Sequence, residues 1–147
     1  MKKTIAGAMA LSALALVSCG DSDEAQGDGG PGKITAVQDA DGKEVELTSD
    51  VPQVDGLDIS EPTNDEERIS TLCNITNWWL NPDVPASDRE EVSPYLLNIS
   101  LEGVESGNMI LSEVSASSVA MARAGYEVGP ELNQGQDMAR RSCGTPQ

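Results

Sequence analysis

The side chains able to do chemistry in this chain form a short and unbalanced set. Three cysteines, Cys19, Cys73 and Cys143, stand among 147 residues that include no histidine. Without histidine the usual general base, proton shuttle and commonest metal ligand are missing. Serines are plentiful, yet neither Ser-x-x-Lys nor Gly-x-Ser-x-Gly occurs, and all four lysines lie at or before Lys43. Carboxylates alone can run glycoside hydrolysis. The adjacent Glu90 and Glu91, however, would point about 100° apart on a helix and read as a solvated face. The composition therefore argues against an enzyme and implies no cofactor, metal or small-molecule ligand.

The cysteines take their meaning from their surroundings. Lys2 and Lys3 precede a thirteen-residue apolar run, Ile5 to Val17. That is shorter than the roughly 20 residues needed to span a bilayer core, and it has the form of a removable export signal. The run closes on Leu16-Val17-Ser18-Cys19, with Gly20-Asp21-Ser22-Asp23-Glu24 directly after it. This stretch resembles the lipobox of bacterial lipoproteins. The resemblance implies that residues 1–18 are a signal peptide and that the Cys19 sulfur carries a diacylglyceryl group. One acyl chain, at about 0.8 kcal/mol per buried methylene, anchors only marginally, whereas two or three attach almost permanently. The competing reading is an ordinary secretory signal cut after Ala13-Leu14-Ala15, which would leave Cys19 as an odd exposed thiol. In Gram-negative lipoproteins an aspartate directly after the cysteine favours the inner membrane. Gly20 stands there and Asp21 comes one later, so the analogy implies the periplasmic face of the outer membrane. In an oxidising envelope the remaining pair, Cys73 and Cys143, reads as a disulfide.

The formal charge is −16, and −18 without Lys2 and Lys3. Such a surface repels nucleic-acid phosphates and anionic headgroups, so neither is an expected partner. From Cys19 to Glu67 fifteen acidic residues face two lysines, while from Arg68 onward ten face five arginines. The proximal excess reads as a self-repelling stalk. A landing site for a cationic protein is the sharper alternative.

The elements that must position these groups follow in order. Residues 19–32 are Gly, Asp and Ser without apolar periodicity, a flexible acidic tether. Within residues 33–62, Ile34–Val37 and Glu44–Leu47 flank Asp39-Ala40-Asp41-Gly42, a turn signal that predicts a short β-hairpin. A calcium loop fails there because Glu44 occupies the required glycine position. An extended linker follows, marked by Pro52, Gly56 and Pro62. Residues 63–147 read as a small, mainly α domain tied by the disulfide. Thr63 or Asn64 caps a first helix whose stripe is Ile69, Leu72, Cys73, Thr76 and Leu80, ended by Asn81-Pro82. Ser87-Asp88-Arg89-Glu90 fits a capping box opening a second helix, which Pro94 should stop or kink near Val92-Ser93. Tyr95–Leu101 fits a helix, with a short buried strand competing. Ile110, Val114, Ser117 and Met121 mark a third helix, and Pro130 a fourth with Leu132, Gly135, Ala139 and Cys143 on one side.

Trp78 lies about 160° from the centre of the first helix's stripe. It is either covered by the Val54–Ile59 segment or exposed as an aromatic anchor for a partner. Two functions fit this chain: a periplasm-facing protein-binding module held by lipid on Cys19, or a structural lipoprotein that stabilises an envelope complex.

Overall fold

The computed structural model describes residues 33–144. The signal peptide, Cys19 and the 19–32 tether lie outside the described residues. From Ile34 onward the chain forms one compact unit, so the hairpin and linker belong to the same body as the helices. Its elements are β1 (Ala36–Gln38), β2 (Glu44–Glu46), α1 (Asp65–Trp79), α2 (Ala86–Val104), α3 (Met109–Arg123) and α4 (Gln134–Ser142).

The hairpin forms as its turn residues require. β1 and β2 pair antiparallel with Val37 opposite Val45. Asp39 Oδ1 accepts from the N–H groups of Asp41 and Lys43 at 3.0 and 2.9 Å, and Gly42 supplies the φ of +79° that closes the turn. An isolated two-stranded ribbon is marginal in water. This one docks: Val37, Val45 and Leu47 pack against the helical core, and Lys43 Nζ meets Glu90 Oε1 at 3.0 Å.

α1 begins where the sequence places it, with Asn64 accepting from Glu67 N–H at 2.9 Å and Asp65, Glu66 and Glu67 in the first turn. α2 departs from expectation at both marks. Pro85, not a serine, precedes its first turn in an extended conformation, and the helix starts at Ala86. Ser87 lies inside the helix, its hydroxyl 3.3 Å from Asp88 Oδ1. Pro94 interrupts nothing: α2 runs through it to Val104 and takes in Tyr95–Leu101 as helix. Interior proline costs about 3 kcal/mol. Val92, Tyr95, Leu96 and Leu97 are all 0–1 % exposed, and each contributes about 2 kcal/mol by burial, so packing outweighs the break.

α4 starts at Gln134, four residues beyond Pro130. Pro130 offers a helical φ but no side-chain acceptor to cap with, whereas Asn133 accepts from Gln136 N–H and Gln136 Oε1 accepts from Asn133 N–H, a reciprocal cap. α3 packs against the other three helices. Its Ser115, Ser117 and Ser118 are small and buried, and they let neighbours come close. At Gly103 of α2 a Cβ would collide with the Ser115 hydroxyl, and at Gly135 of α4 with the Ala120 carbonyl. The sequence puts Ile110 on the buried stripe, but it is 64 % exposed and Leu111 takes the core position. The disulfide expected from the cysteine count is present between Cys73 and Cys143, with Cα atoms 5.4 Å apart.

Candidate functional site

The sequence left Trp78 either covered by the Val54–Ile59 segment or exposed as an anchor for a partner, and the structure buries it to 8 % exposure. The cover is the linker. Val54 and Leu57 close a turn around Gly56, whose φ is +77°. Trp78 Nε1 donates to the Asp55 carbonyl at 3.1 Å, so the indole keeps its polar edge satisfied while its ring is enclosed. A ring in this position presents no anchor to a partner. The same cover explains why α1 buries Thr71, Ile75 and Trp78 besides its expected stripe: it is sandwiched between the bundle and the linker.

Two concavities follow the linker. One, of about 310 Å³, lies between Asp58-Ile59-Ser60 and the Glu67, Ser70, Thr71 and Asn74 side of α1. Glu67 Oε2 there accepts from Thr63 N–H at 2.8 Å and from Thr63 Oγ1 at 2.7 Å. These bonds, led by the Thr63 backbone, lower its pKa below the ordinary carboxylate value, which fixes it as an ionised cap rather than a proton donor. The other, about 80 Å³, is lined by Ser49, Glu61, Arg68, Tyr95, Asn98 and Glu102 among others. Arg68 reaches Asp65 at 3.7 Å and Glu102 at 3.5 Å. Burial raises the Tyr95 pKa, with Glu61 adding to the effect, so its hydroxyl stays neutral. Among the described residues no group of three or more His, Cys, Asp or Glu could hold a metal ion, and no helix is long and apolar enough to cross a membrane.

Arg89 is the side chain that sequence reasoning missed. It is 2 % exposed, and its guanidinium donates to the carbonyls of Trp79 at 2.8 Å, Asn81 at 2.7 Å and Tyr126 at 3.1 Å. Burial lowers its pKa, with Glu127 opposing. Two of its three acceptors are at the C-terminal end of α1, the negative end of that helix. The sequence carried only a weak signal for this, that α1 has no basic residue in its own last turn.

Comparison with known protein families, curated proteins and solved structures finds no match to this chain. Its reading therefore stands on its own residues. Among the described residues Ile34, Val104, Met109, Ile110 and Met138 are the exposed large apolar side chains, and three of the five gather where α2 ends and α3 begins. Val104, Met109 and Ile110 are 42, 86 and 64 % exposed. The loop between the helices is tied down: Asn108 N–H donates to Ser106 Oγ at 2.9 Å, and Ser112 Oγ to the Val104 carbonyl at 3.3 Å.

Proposed function

We propose that this chain is a lipid-anchored envelope lipoprotein that binds a cationic protein partner on the periplasmic side of a membrane. Leu16-Val17-Ser18-Cys19 supports the anchor, and Gly20 after the cysteine favours the outer membrane. The observation that carries the binding role is how the positive charges are used. Lys43 pairs with Glu90, Arg68 with Asp65 and Glu102, and Arg140 and Arg141 with Asp137, while Arg89 is buried against carbonyls. Among the described residues twenty-one acidic side chains stand against seven basic ones, and most of the carboxylates make no ion pair, a field that draws and orients a basic protein.

The test has two arms. Intact mass of the envelope-derived protein should show an acylated chain that begins at Cys19. Detergent-solubilised envelopes should yield one stoichiometric, salt-sensitive basic protein with it. A Cys19→Ser chain that stays membrane-bound without detergent would overturn the anchor, and recovery of only a large membrane complex would favour the structural role.

A further inference from the structure

We propose that the α2–α3 corner formed by Val104, Met109 and Ile110 is the docking surface, and that its occupant is a basic amphipathic segment of a protein partner. This rests on the binding role argued above and names the surface and its complement.

Three features point to this corner. The first is that its apolar residues do nothing for the fold. A helix's first turn favours Asp or Glu, and α3 has none there, carrying Met109 and Ile110 instead. Asn108 Oδ1 already accepts from the N–H groups of Ile110 and Leu111 at 3.0 and 3.1 Å, so the helix start is satisfied without them. The second is that the corner is held in place. The Ser106 and Ser112 hydrogen bonds fix the loop and join the end of α2 to the first turn of α3. A partner therefore meets a formed surface and orders little on binding.

The third is the rim. Glu105 is in the connecting loop, and Glu113 falls three and four positions after Ile110 and Met109, on the same side of α3. Both are exposed and neither makes an ion pair among the described residues. An apolar centre inside a polar rim is the usual anatomy of a protein interface. The rim's sign also selects among occupants. Anionic lipid headgroups are repelled by Glu105 and Glu113. A second copy docked by two-fold symmetry would set these carboxylates against their own equivalents. A segment with Leu- or Ile-type side chains flanked by Lys or Arg satisfies centre and rim together.

The experiment is site-specific photo-crosslinking of the full chain in its native envelope, with Ile110→p-benzoylphenylalanine, and Asn77→p-benzoylphenylalanine at an exposed position of α1 as control. The expected result is a protein adduct at position 110, mapped by mass spectrometry to a segment with Lys or Arg on either side of apolar residues. Glu105→Lys with Glu113→Lys should cut its yield by about tenfold with the melting temperature unchanged, because neither carboxylate has an internal partner. Adducts at 110 to lipid, to a second copy or to a non-basic segment overturn the inference. So does an undiminished yield in the charge-reversed chain. If a basic partner is recovered with the protein but crosslinks only from position 77, this surface is wrong while the binding role stands. If no protein crosslinks from either position and none co-purifies, the binding role itself fails.

Discussion

The four helices and the segment that lies along them, residues 33–62, keep their places by different means. The helices interlock. Leu72, Ile75, Trp79, Val92, Leu96, Leu111 and Met121 are fully buried, a disulfide joins α1 to the end of α4, and Arg89 fastens the end of α1 to the segment after α3. The hairpin and linker bury only part of each apolar side chain, from Val37 to Ile59, and add the Trp78–Asp55 bond and the exposed Lys43–Glu90 pair. Burial scales with the apolar area removed from water. The bundle should therefore hold its structure when the linker loosens, and the converse should fail. Cooperative unfolding of the whole body would break that comparison.

The largest effect is expected from the disulfide. Cys73 and Cys143 are 70 residues apart, and closing a loop of that length stabilises by roughly 4 kcal/mol in the chain-entropy account. That approaches the whole stability of many small domains. The Cys73→Ser/Cys143→Ser chain should lose most of its denaturation midpoint in urea. A loss below about 1 kcal/mol would show that helix packing alone suffices.

Arg89→Met comes next. Methionine keeps much of the stem's packing but abandons three carbonyls that the guanidinium satisfies. Charged hydrogen bonds of this kind are worth about 1.5–3 kcal/mol each. Non-additivity and partial access of water bring the expected loss to about 3 kcal/mol in total. A variant as stable as the parent would mean that these carbonyls find water as readily as they find Arg89.

The same contrast explains what could be read in the sequence. The hairpin turn, the start of α1 and the disulfide depend on local chemistry or on counting cysteines, and Asp39, Asn64 and Cys73 announced them. α2 was misread because its cost at Pro94 is local, while the burial of Val92, Tyr95 and Leu96 that outweighs it depends on other helices. Trp78 could not be placed on a wheel of α1, because its cover is supplied by residues more than twenty positions earlier. Arg89 looked like part of a capping box since nothing near it in sequence reveals three distant carbonyls. At Ile110 the helical period admitted two neighbouring phases, and packing on α2 chose Leu111. The proposed docking corner was illegible for that reason.

Trp78→Phe sharpens the comparison at smaller scale. Phenylalanine keeps an aromatic ring but removes the Nε1–H donor to the Asp55 carbonyl and the buried pyrrole part of the indole. The expected loss is about 2 kcal/mol, of which the hydrogen bond is about half. Amide exchange at Leu57 should accelerate while amides of α2 and α3 keep their protection. Uniform acceleration across the helices would show that linker and bundle open together.

The smallest effect concerns Glu67, where the linker hands over to α1. Its carboxylate accepts twice from Thr63, and its own N–H donates to Asn64. Hydrogen bonds to the ionised form lower its pKa from the ordinary value. The sign follows from proton counts. Between the folded and unfolded pKa values the unfolded chain holds more protons, so stability there rises with pH. The contribution is fully present above the ordinary carboxylate pKa and is lost as pH falls through the lowered folded value. The side chain is solvent-exposed, so the effect on global stability should be slight. It should be plain in an NMR titration, where the Glu67 carboxyl carbon should show a midpoint below the ordinary carboxylate value. Thr63 N–H should shift with Glu67, while Leu57 N–H stays fixed. A Glu67 midpoint at the ordinary carboxylate value would remove the cap as the point where linker and helix are joined.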